Sequence, residues 1–127
     1  MNRKKGGGTA SYIRTYYSHE YIKEGCYVIN NCLEIATVKI YIPSDKLVYA
    51  SCIYRAPNTS IELFTEKYVE LIDKFKDKTM YICGDFFIDL IKCTKNPDTT
   101  KYIDTLYSYN MYPLIIKPTR IGDKVQR

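Results

Sequence analysis

The stretch Met80-Tyr81-Ile82-Cys83-Gly84-Asp85-Phe86-Phe87-Ile88-Asp89 joins a short apolar run to a glycine and an acid. A run of this length, bounded by turn signals, is typical of a buried inner strand. Gly84 permits a sharp turn and the close approach of another group. Because α/β proteins place chemistry at strand ends, Asp85 is the first candidate for a functional residue. A plain Gly-Asp turn, with the carboxylate bonded to its own backbone, explains the same residues.

An antiparallel hairpin and an amphipathic helix are predicted upstream of this stretch. Residues 33–42 alternate between two faces, residues 47–54 form a second apolar run, and a Pro-Ser-Asp-Lys turn separates them. Thr59 and Glu62 have the spacing of a capping box and predict the start of the helix. The apolar positions that recur at helical spacing, and therefore predict a core-facing stripe, are Phe64, Tyr68, Leu71, Ile72 and Phe75.

Weaker patterns extend the predicted fold toward the beginning of the chain. Residues 9–17 are rich in β-forming side chains and predict a first strand. Residues 18–25 are polar and predict a break after it, and residues 26–29 predict a short second strand.

The region after Asp89 is predicted to hold one more helix and one more strand. Ile103, Leu106 and Tyr107 predict a short helix that stops near Asn110, and residues 111–116 predict a last strand. The whole order is then hairpin, helix, strand, helix, strand. That order indicates an α/β (α+β) protein with a layered sheet.

Composition and charge limit the class of protein. The chain has 127 residues, enough for one core, and 46% of them are hydrophobic. The net charge of +5 permits contact with phosphates. No apolar run approaches the ~20 residues that span a bilayer, so no membrane association is expected. The 14 tyrosines suit either core packing or stacking on bases.

The cysteines indicate a reducing, intracellular setting. There are five of them, an odd number, and none forms a C-x-x-C pair. Cys52 and Cys83 lie in apolar strand-like runs and are predicted to pack as small hydrophobic side chains. His19 is the only histidine, and no cluster of cysteine and histidine predicts a metal site.

Five ordered segments of the chain resemble one family. They are residues 3–10, Ile53-Tyr54-Arg55-Ala56-Pro57-Asn58, the amphipathic helix, residues 82–90 and Lys117-Pro118-Thr119-Arg120-Ile121. In order and spacing they resemble the endonuclease/exonuclease/phosphatase superfamily, and within it the endonuclease domain of LINE-type (non-LTR) retrotransposons. The resemblance implies a DNase I-like fold, which is a four-layer α/β-β/α sandwich. Residues 1–127 would form the central part of that domain.

The resemblance also implies a site and a reaction, the magnesium-dependent hydrolysis of a DNA phosphodiester bond. Asp85 matches the acid that orients or deprotonates the attacking water. Tyr54 matches the tyrosine that contacts the scissile phosphate, although a core tyrosine at a strand end would look the same. Asn58 is expected to order the loop around Tyr54, and magnesium would offset charge in the transition state. The residues expected to contact the substrate are Arg55, Lys117, Thr119 and Arg120.

The sequence departs from the family pattern at the motif itself. Phe87 stands where the family has asparagine. Losing a preorganised polar group of this kind costs ~3 kcal/mol, or roughly a hundredfold in rate. The metal-binding glutamate of the family would fall before residue 1, and its Ser-Asp-His segment beyond residue 127. Asp89 fits a structural acid of the family. We therefore expect a partial endonuclease domain with little or no activity, from a nuclear protein that also carries a reverse transcriptase.

Two other classes of function also fit the sequence. One is a catalytically inert module that binds nucleic acid through its basic residues. The other is a phosphatase-like branch of the same superfamily, against which the Tyr-Arg-x-Pro-Asn form and the Pro-Thr-Arg segment argue. Cleavage of DNA would support the endonuclease, and binding of DNA without cleavage would support the inert module. Activity on a small phosphate ester but not on DNA would support the phosphatase-like branch.

Overall fold

The computed structural model describes residues 8–29, 32–44, 46–86, 88–90, 95–115 and 117. The elements in chain order are β1 (Ser18–Tyr21), a 3-10 helix (Lys23–Gly25), β2 (Tyr27–Ile29), β3 (Leu33–Ile42), β4 (Lys46–Arg55), α1 (Ile61–Lys74), β5 (Met80–Asp85) and α2 (Pro97–Ser108). The chain divides into two compact units, residues 1–87 and residues 88–127. Strands and helices are both present, which confirms the predicted mixed α and β content.

The first unit contains one mixed sheet in which five strands are described. Their order is β1-β3-β4-β5, and β2 pairs with β3 as well. β1, β2 and β4 run antiparallel to β3, whereas β5 runs parallel to β4. The β3–β4 register runs from Leu33 opposite Arg55 to Ile42 opposite Lys46, with Ser44 at a φ of 85° in the turn. The predicted hairpin is therefore confirmed.

The core of the first unit consists of buried side chains from one face of the hairpin and from the apolar stripe of α1. Leu33, Ile35 and Ile53 are buried on the hairpin, and the ring of Tyr49 lies 4.9 Å from that of Phe75. All five predicted stripe residues are buried, four of them in α1 and Phe75 at its C-cap. Each such side chain contributes about 1.5–3 kcal/mol on burial, so this stripe fixes the helix on the sheet.

Two hydroxyl groups are satisfied inside this core. Thr37 and Ser51 are opposite one another on β3 and β4, and both are fully buried. Their hydroxyl oxygens lie 2.6 Å apart, and the Thr37 hydroxyl also contacts the carbonyl of Gly25 at 2.6 Å. Because buried hydroxyls without partners are costly, this pair ties the 3-10 helix to the hairpin.

The cap of α1 differs from the predicted capping box by one residue. Ser60, and not Thr59, is the N-cap, and its side chain accepts a hydrogen bond from the amide of Leu63 at 3.1 Å. Thr59 is buried instead, and its hydroxyl donates to the carbonyl of Cys32 at 3.1 Å. The prediction was wrong because a tertiary contact draws Thr59 away from the helix end.

The first strand also lies elsewhere than predicted. Residues 9–17 contain no strand, and β1 is formed by residues 18–21, which were predicted to break it. β1 pairs with Val38 to Tyr41 of β3. Pairing with an available neighbour, and not the β propensity of isolated residues, decides where this strand forms. The predicted second strand at residues 26–29 is confirmed as β2.

β5 is a strand as predicted, but it is not a buried inner strand. Among the described strands it is the last in the sheet order, with β4 as its neighbour. Tyr81 and Cys83 are exposed, and Met80 and Ile82 are half-buried. The prediction that Cys83 packs as a small hydrophobic side chain is therefore wrong, and Cys52 is only half-buried.

The second unit contains α2. Asn96 caps the helix by accepting from the amides of Asp98 and Thr99, and Pro97 occupies the first turn. The buried face of α2 consists of Thr99, Tyr102 and Leu106. Asn110 ends the segment with a φ of 56°, as predicted. Residues 111–115 form no strand, contrary to the prediction, and residue 116 lies outside the described residues.

In the part of the chain that the structure describes, no helix has both the length and the apolar character required to cross a membrane.

Candidate functional site

Tyr54 and Asp85 lie side by side at the ends of two parallel strands. They are partners in the β4–β5 register, and each stands at or next to the last residue of its strand. Strands in a sheet are about 4.8 Å apart, and partners in a parallel register project to the same face. The sequence and its family resemblance predicted that the Asp85 carboxylate lies beside the Tyr54 phenol, and the β4–β5 register confirms this. The structure brings them together on one face of the sheet.

A second carboxylate lies in the same row of the sheet. Glu34 of β3 is the register partner of Tyr54, so the order across the three strands is Glu34, Tyr54, Asp85. Asp85 is exposed, whereas Tyr54 and Glu34 are half-buried. Sequence reasoning missed Glu34. Its alternation within β3 gave its face, but the pairing that places it beside Tyr54 is a tertiary property.

Gly84 explains how Asp85 reaches this position. Gly84 has a φ of 147°, a conformation that side chains rarely permit. A Cβ at Gly84 would lie 1.8 Å from the backbone oxygen of Ile53, its register partner. The strand β5 therefore approaches β4 more closely here than any other residue type allows. This confirms the predicted close approach at Gly84.

Arg55 lies on the opposite face of β4 from Tyr54. It is 4% exposed, and its Nη1 donates to the carbonyl of Phe86 at 3.0 Å while its Nη2 donates to the carbonyl of Thr59. Burial lowers the pKa of the Arg55 guanidinium. The side chain therefore joins the two loops that leave β4 and β5. Its predicted contact with substrate stays a prediction.

The loop after β4 is held by its backbone and by Thr59. The amide of Ala56 donates to the carbonyl of Cys32 at 2.8 Å, and the amide of Thr59 donates to the carbonyl of Ala56 at 3.1 Å. Asn58 is exposed in this turn. The contacts that order the loop are thus made by the neighbours of Asn58, and its predicted role in ordering the loop remains untested.

The loop after β5 is anchored by an aromatic contact. The ring of Phe86 lies 5.7 Å from that of Phe64 and 6.4 Å from that of Tyr68, the latter edge-on. These contacts fix the backbone directly after Asp85.

The remaining predicted site residues are placed as follows. Phe87, Thr119 and Arg120 lie outside the described residues, and Lys117 and Asp89 are exposed.

Comparison with known proteins gives no relative. No family model, no curated protein and no solved structure matches this chain.

Metal-binding side chains do not gather near Asp85. Within the described ranges, no three side chains of histidine, cysteine, aspartate or glutamate form a group that could hold a metal ion. Glu34 is two strands away from Asp85, which is about 10 Å between backbones. The described donor set is therefore not a preformed magnesium site.

A second feature of the first unit is an exposed aromatic and basic segment, residues 12–17. Tyr12 is 98% exposed and Tyr16 is 63% exposed. The Arg14 guanidinium lies 5.9 Å from the centre of the Tyr16 ring, and that ring lies 4.3 Å from the ring of Tyr17. A hydrogen bond with Tyr16 raises the pKa of the Tyr17 hydroxyl. Exposed tyrosines beside a guanidinium are the groups on which nucleic-acid bases stack.

Proposed function

We propose that this chain is the central part of a DNase I-like endonuclease domain of the LINE-type retrotransposon class, directed at the phosphodiester backbone of DNA. The observation that supports the proposal is the adjacency of Tyr54 and Asp85 at the ends of parallel strands. The resemblance of five sequence segments selects this family among the many that use an acid at a strand end. A nuclear location and a reverse transcriptase in the parent protein belong to the same proposal.

The two side chains divide the chemistry between them. The exposed Asp85 carboxylate can accept a hydrogen bond from water within ~2.6–3.2 Å and take its proton as the water oxygen bonds to phosphorus. The bond between phosphorus and one sugar oxygen breaks in the same step, and that oxygen takes up a proton and leaves as the sugar hydroxyl. The Tyr54 hydroxyl can donate to a phosphoryl oxygen on which negative charge develops. Since both stand on one face of the sheet, a phosphate placed over this row would contact both groups.

Magnesium, which the resemblance implies, would polarise the phosphoryl oxygen in this class of enzyme. Asp85 is the only carboxylate on the two strands that form the site's edge, so these strands supply one possible magnesium ligand and not a preformed site. Magnesium usually takes one or two carboxylates together with water and substrate oxygens. The steps assigned here therefore belong to Asp85 and Tyr54 alone.

The efficiency of this site is expected to be low. Phe87 replaces an amide with a phenyl ring in the motif that contains Asp85. One such donor is worth ~3 kcal/mol of transition-state stabilisation, or roughly a hundredfold in rate. We therefore propose that the chain as given cleaves DNA slowly or not at all.

The test is to restore the amide. Supercoiled plasmid is incubated with magnesium and with the wild-type chain, the Phe87→Asn variant, or the Phe87→Asn/Asp85→Ala double variant. We expect Phe87→Asn to nick at a rate well above wild type and the double variant to lose that gain. Nicking that persists in the double variant would remove Asp85 from the mechanism. Absence of nicking by Phe87→Asn, with folding confirmed by circular dichroism, would contradict the proposal that Phe87 is what limits the rate at this site.

A second candidate is a nucleic-acid-binding module without cleavage, which the aromatic and basic segment favours. Stacking on an exposed tyrosine is worth about 1–3 kcal/mol per base, and binding through cations weakens as salt rises. Fluorescence anisotropy with a single-stranded oligonucleotide would measure it. Tyr12→Ala and Tyr16→Ala should weaken binding, while Tyr81→Ala, an exposed tyrosine of β5, serves as the matched control. Equal affinity in all four proteins would contradict this candidate.

A further inference from the structure

We propose that Cys52 and Cys83 form a redox-active dithiol, a modification site that a small-molecule disulfide such as oxidised glutathione converts to a disulfide bridge between β4 and β5. The two residues are partners in the β4–β5 register. Partners in a parallel register project to the same face, and their backbones are about 4.8 Å apart. Disulfides need a Cα separation of about 4.4–6.8 Å, so this spacing meets the requirement without a backbone rearrangement.

The surroundings of the two thiols differ in a way that suits stepwise oxidation. Cys83 is exposed, and its thiol lies 3.7 Å from the carbonyl of Ser51. Cys52 is half-buried. Burial raises the pKa of the Cys52 thiol, the adjacent Cys83 thiol raises it further, and the amide of Ala10 acts in the opposite direction. Cys83 is therefore the thiol that an oxidant reaches first, and Cys52 lies within its reach as the second.

The reaction balances with one molecule of oxidised glutathione. The Cys83 thiolate attacks one sulfur of the glutathione disulfide, forms a mixed disulfide and releases one glutathione thiolate. The Cys52 thiolate then attacks the Cys83 sulfur, the bridge forms, and the second glutathione leaves as its thiolate. Two protein thiols are oxidised, one disulfide is reduced to two thiols, and the two protons pass to the released glutathione.

The bridge would lie directly beside the candidate site. Cys52 and Cys83 precede Tyr54 and Asp85 by two residues on the same strands and the same face, which is about 7 Å along the sheet. A covalent bond at this place would fix the separation of β4 and β5 next to that row. The inference goes beyond the proposed function and does not depend on it, because the thiol chemistry is independent of DNA.

The experiment oxidises the folded, reduced full-length chain with oxidised glutathione and follows the intact mass. We expect the loss of two hydrogen atoms without a glutathione adduct, with peptide mapping that links the segment of Cys52 to that of Cys83. Cys52→Ser should instead retain one glutathione on Cys83, because the second thiol is missing. Cys32→Ser is the matched control, since Cys32 is also half-buried but lies outside the pair, and it should form the bridge as wild type does.

Three results would overturn the proposal. The first is a stable glutathione adduct on Cys83 of the wild-type chain, which would show that Cys52 cannot attack it. The second is a bridge that joins either residue to a different cysteine. The third is a folded protein that stays fully reduced while the same chain unfolded in denaturant is oxidised, which would show that the pair is not accessible in the folded state.

Discussion

Replacing Gly84 with alanine is expected to separate β5 from β4. The added Cβ would lie 1.8 Å from the oxygen, 2.7 Å from the carbon and 2.8 Å from the nitrogen of Ile53, all backbone atoms that no rotamer change can move. A residue with a side chain at a φ of 147° costs roughly 1–3 kcal/mol in addition. A ladder hydrogen bond lost as the strands part costs about 1 kcal/mol. We therefore expect a destabilisation of about 3 kcal/mol, a large share of the roughly 5–15 kcal/mol that holds a domain folded.

Urea unfolding followed by circular dichroism measures this change in the free energy of unfolding. Gly8→Ala is the matched control, because Gly8 also has a positive φ of 114° but a Cβ there would meet only the Glu34 carboxylate at 3.5 Å. Gly8→Ala shares the cost of a positive φ but not the backbone clash, so it should destabilise the chain less than Gly84→Ala does. If Gly84→Ala unfolds at the same urea concentration as Gly8→Ala, the close approach of β5 to Ile53 is wrong. The placement of Asp85 beside Tyr54 would then be wrong with it.

Three further tests, each by urea unfolding, address other parts of the first unit. Thr37→Val should cost about 1–3 kcal/mol, because it leaves the buried Ser51 hydroxyl without its 2.6 Å partner; a cost near zero would contradict that contact. Ser60→Ala should cost about 1 kcal/mol because it removes the N-cap side chain, whereas Glu62→Ala should cost little. A larger loss of stability in Glu62→Ala than in Ser60→Ala would instead support the predicted capping box. Arg55→Lys should cost about 2 kcal/mol or more, because one ammonium cannot reach both carbonyls to which the guanidinium donates. A stability equal to that of wild type would contradict the hydrogen bonds from Arg55 to the carbonyls of Phe86 and Thr59.

The elements that could be predicted from the sequence are those whose own residues determine them. The stripe of α1 repeats over about three turns, and each of its apolar positions is buried. The β3–β4 hairpin has a long alternating strand, a turn with proline, and a second apolar run. Both patterns are long and involve residues close together in the sequence, so each is consistent with only one type of secondary structure.

The elements that could not be predicted depend on what lies beside them. β1 forms at residues 18–21 because β3 offers a free side there, although residues 9–17 have the stronger β propensity. Thr59 leaves the helix cap because the carbonyl of Cys32 is within reach. Cys83 is exposed because β5 stands last among the described strands, a fact about sheet order and not about the residues of β5. No local pattern contains that information.

The candidate site divides in the same way. The sequence and its family resemblance identified Asp85 and Tyr54 as neighbouring candidate residues, and the sequence identified Gly84 as a point of close approach. It could not predict that Glu34 joins their row, because that depends on the β3–β4 register. Nor could it predict that Arg55 holds two loops. The adjacent residues Tyr54 and Arg55 must project to opposite faces of β4, but which of them is buried depends on how β4 packs in the folded sheet.

The period of two along β4 connects the stability of the fold to the chemistry of the site. Tyr54 projects to the face that carries Asp85, and Arg55, the next residue, projects to the buried face where it holds the loop after β5. A shift of the strand by one residue would exchange these positions, so the tyrosine would be buried and the guanidinium would face the carboxylate. The clash that a side chain at Gly84 would cause shows how closely this register is fitted. The same contact that excludes a side chain at Gly84 therefore keeps the acid and the phenol in one row.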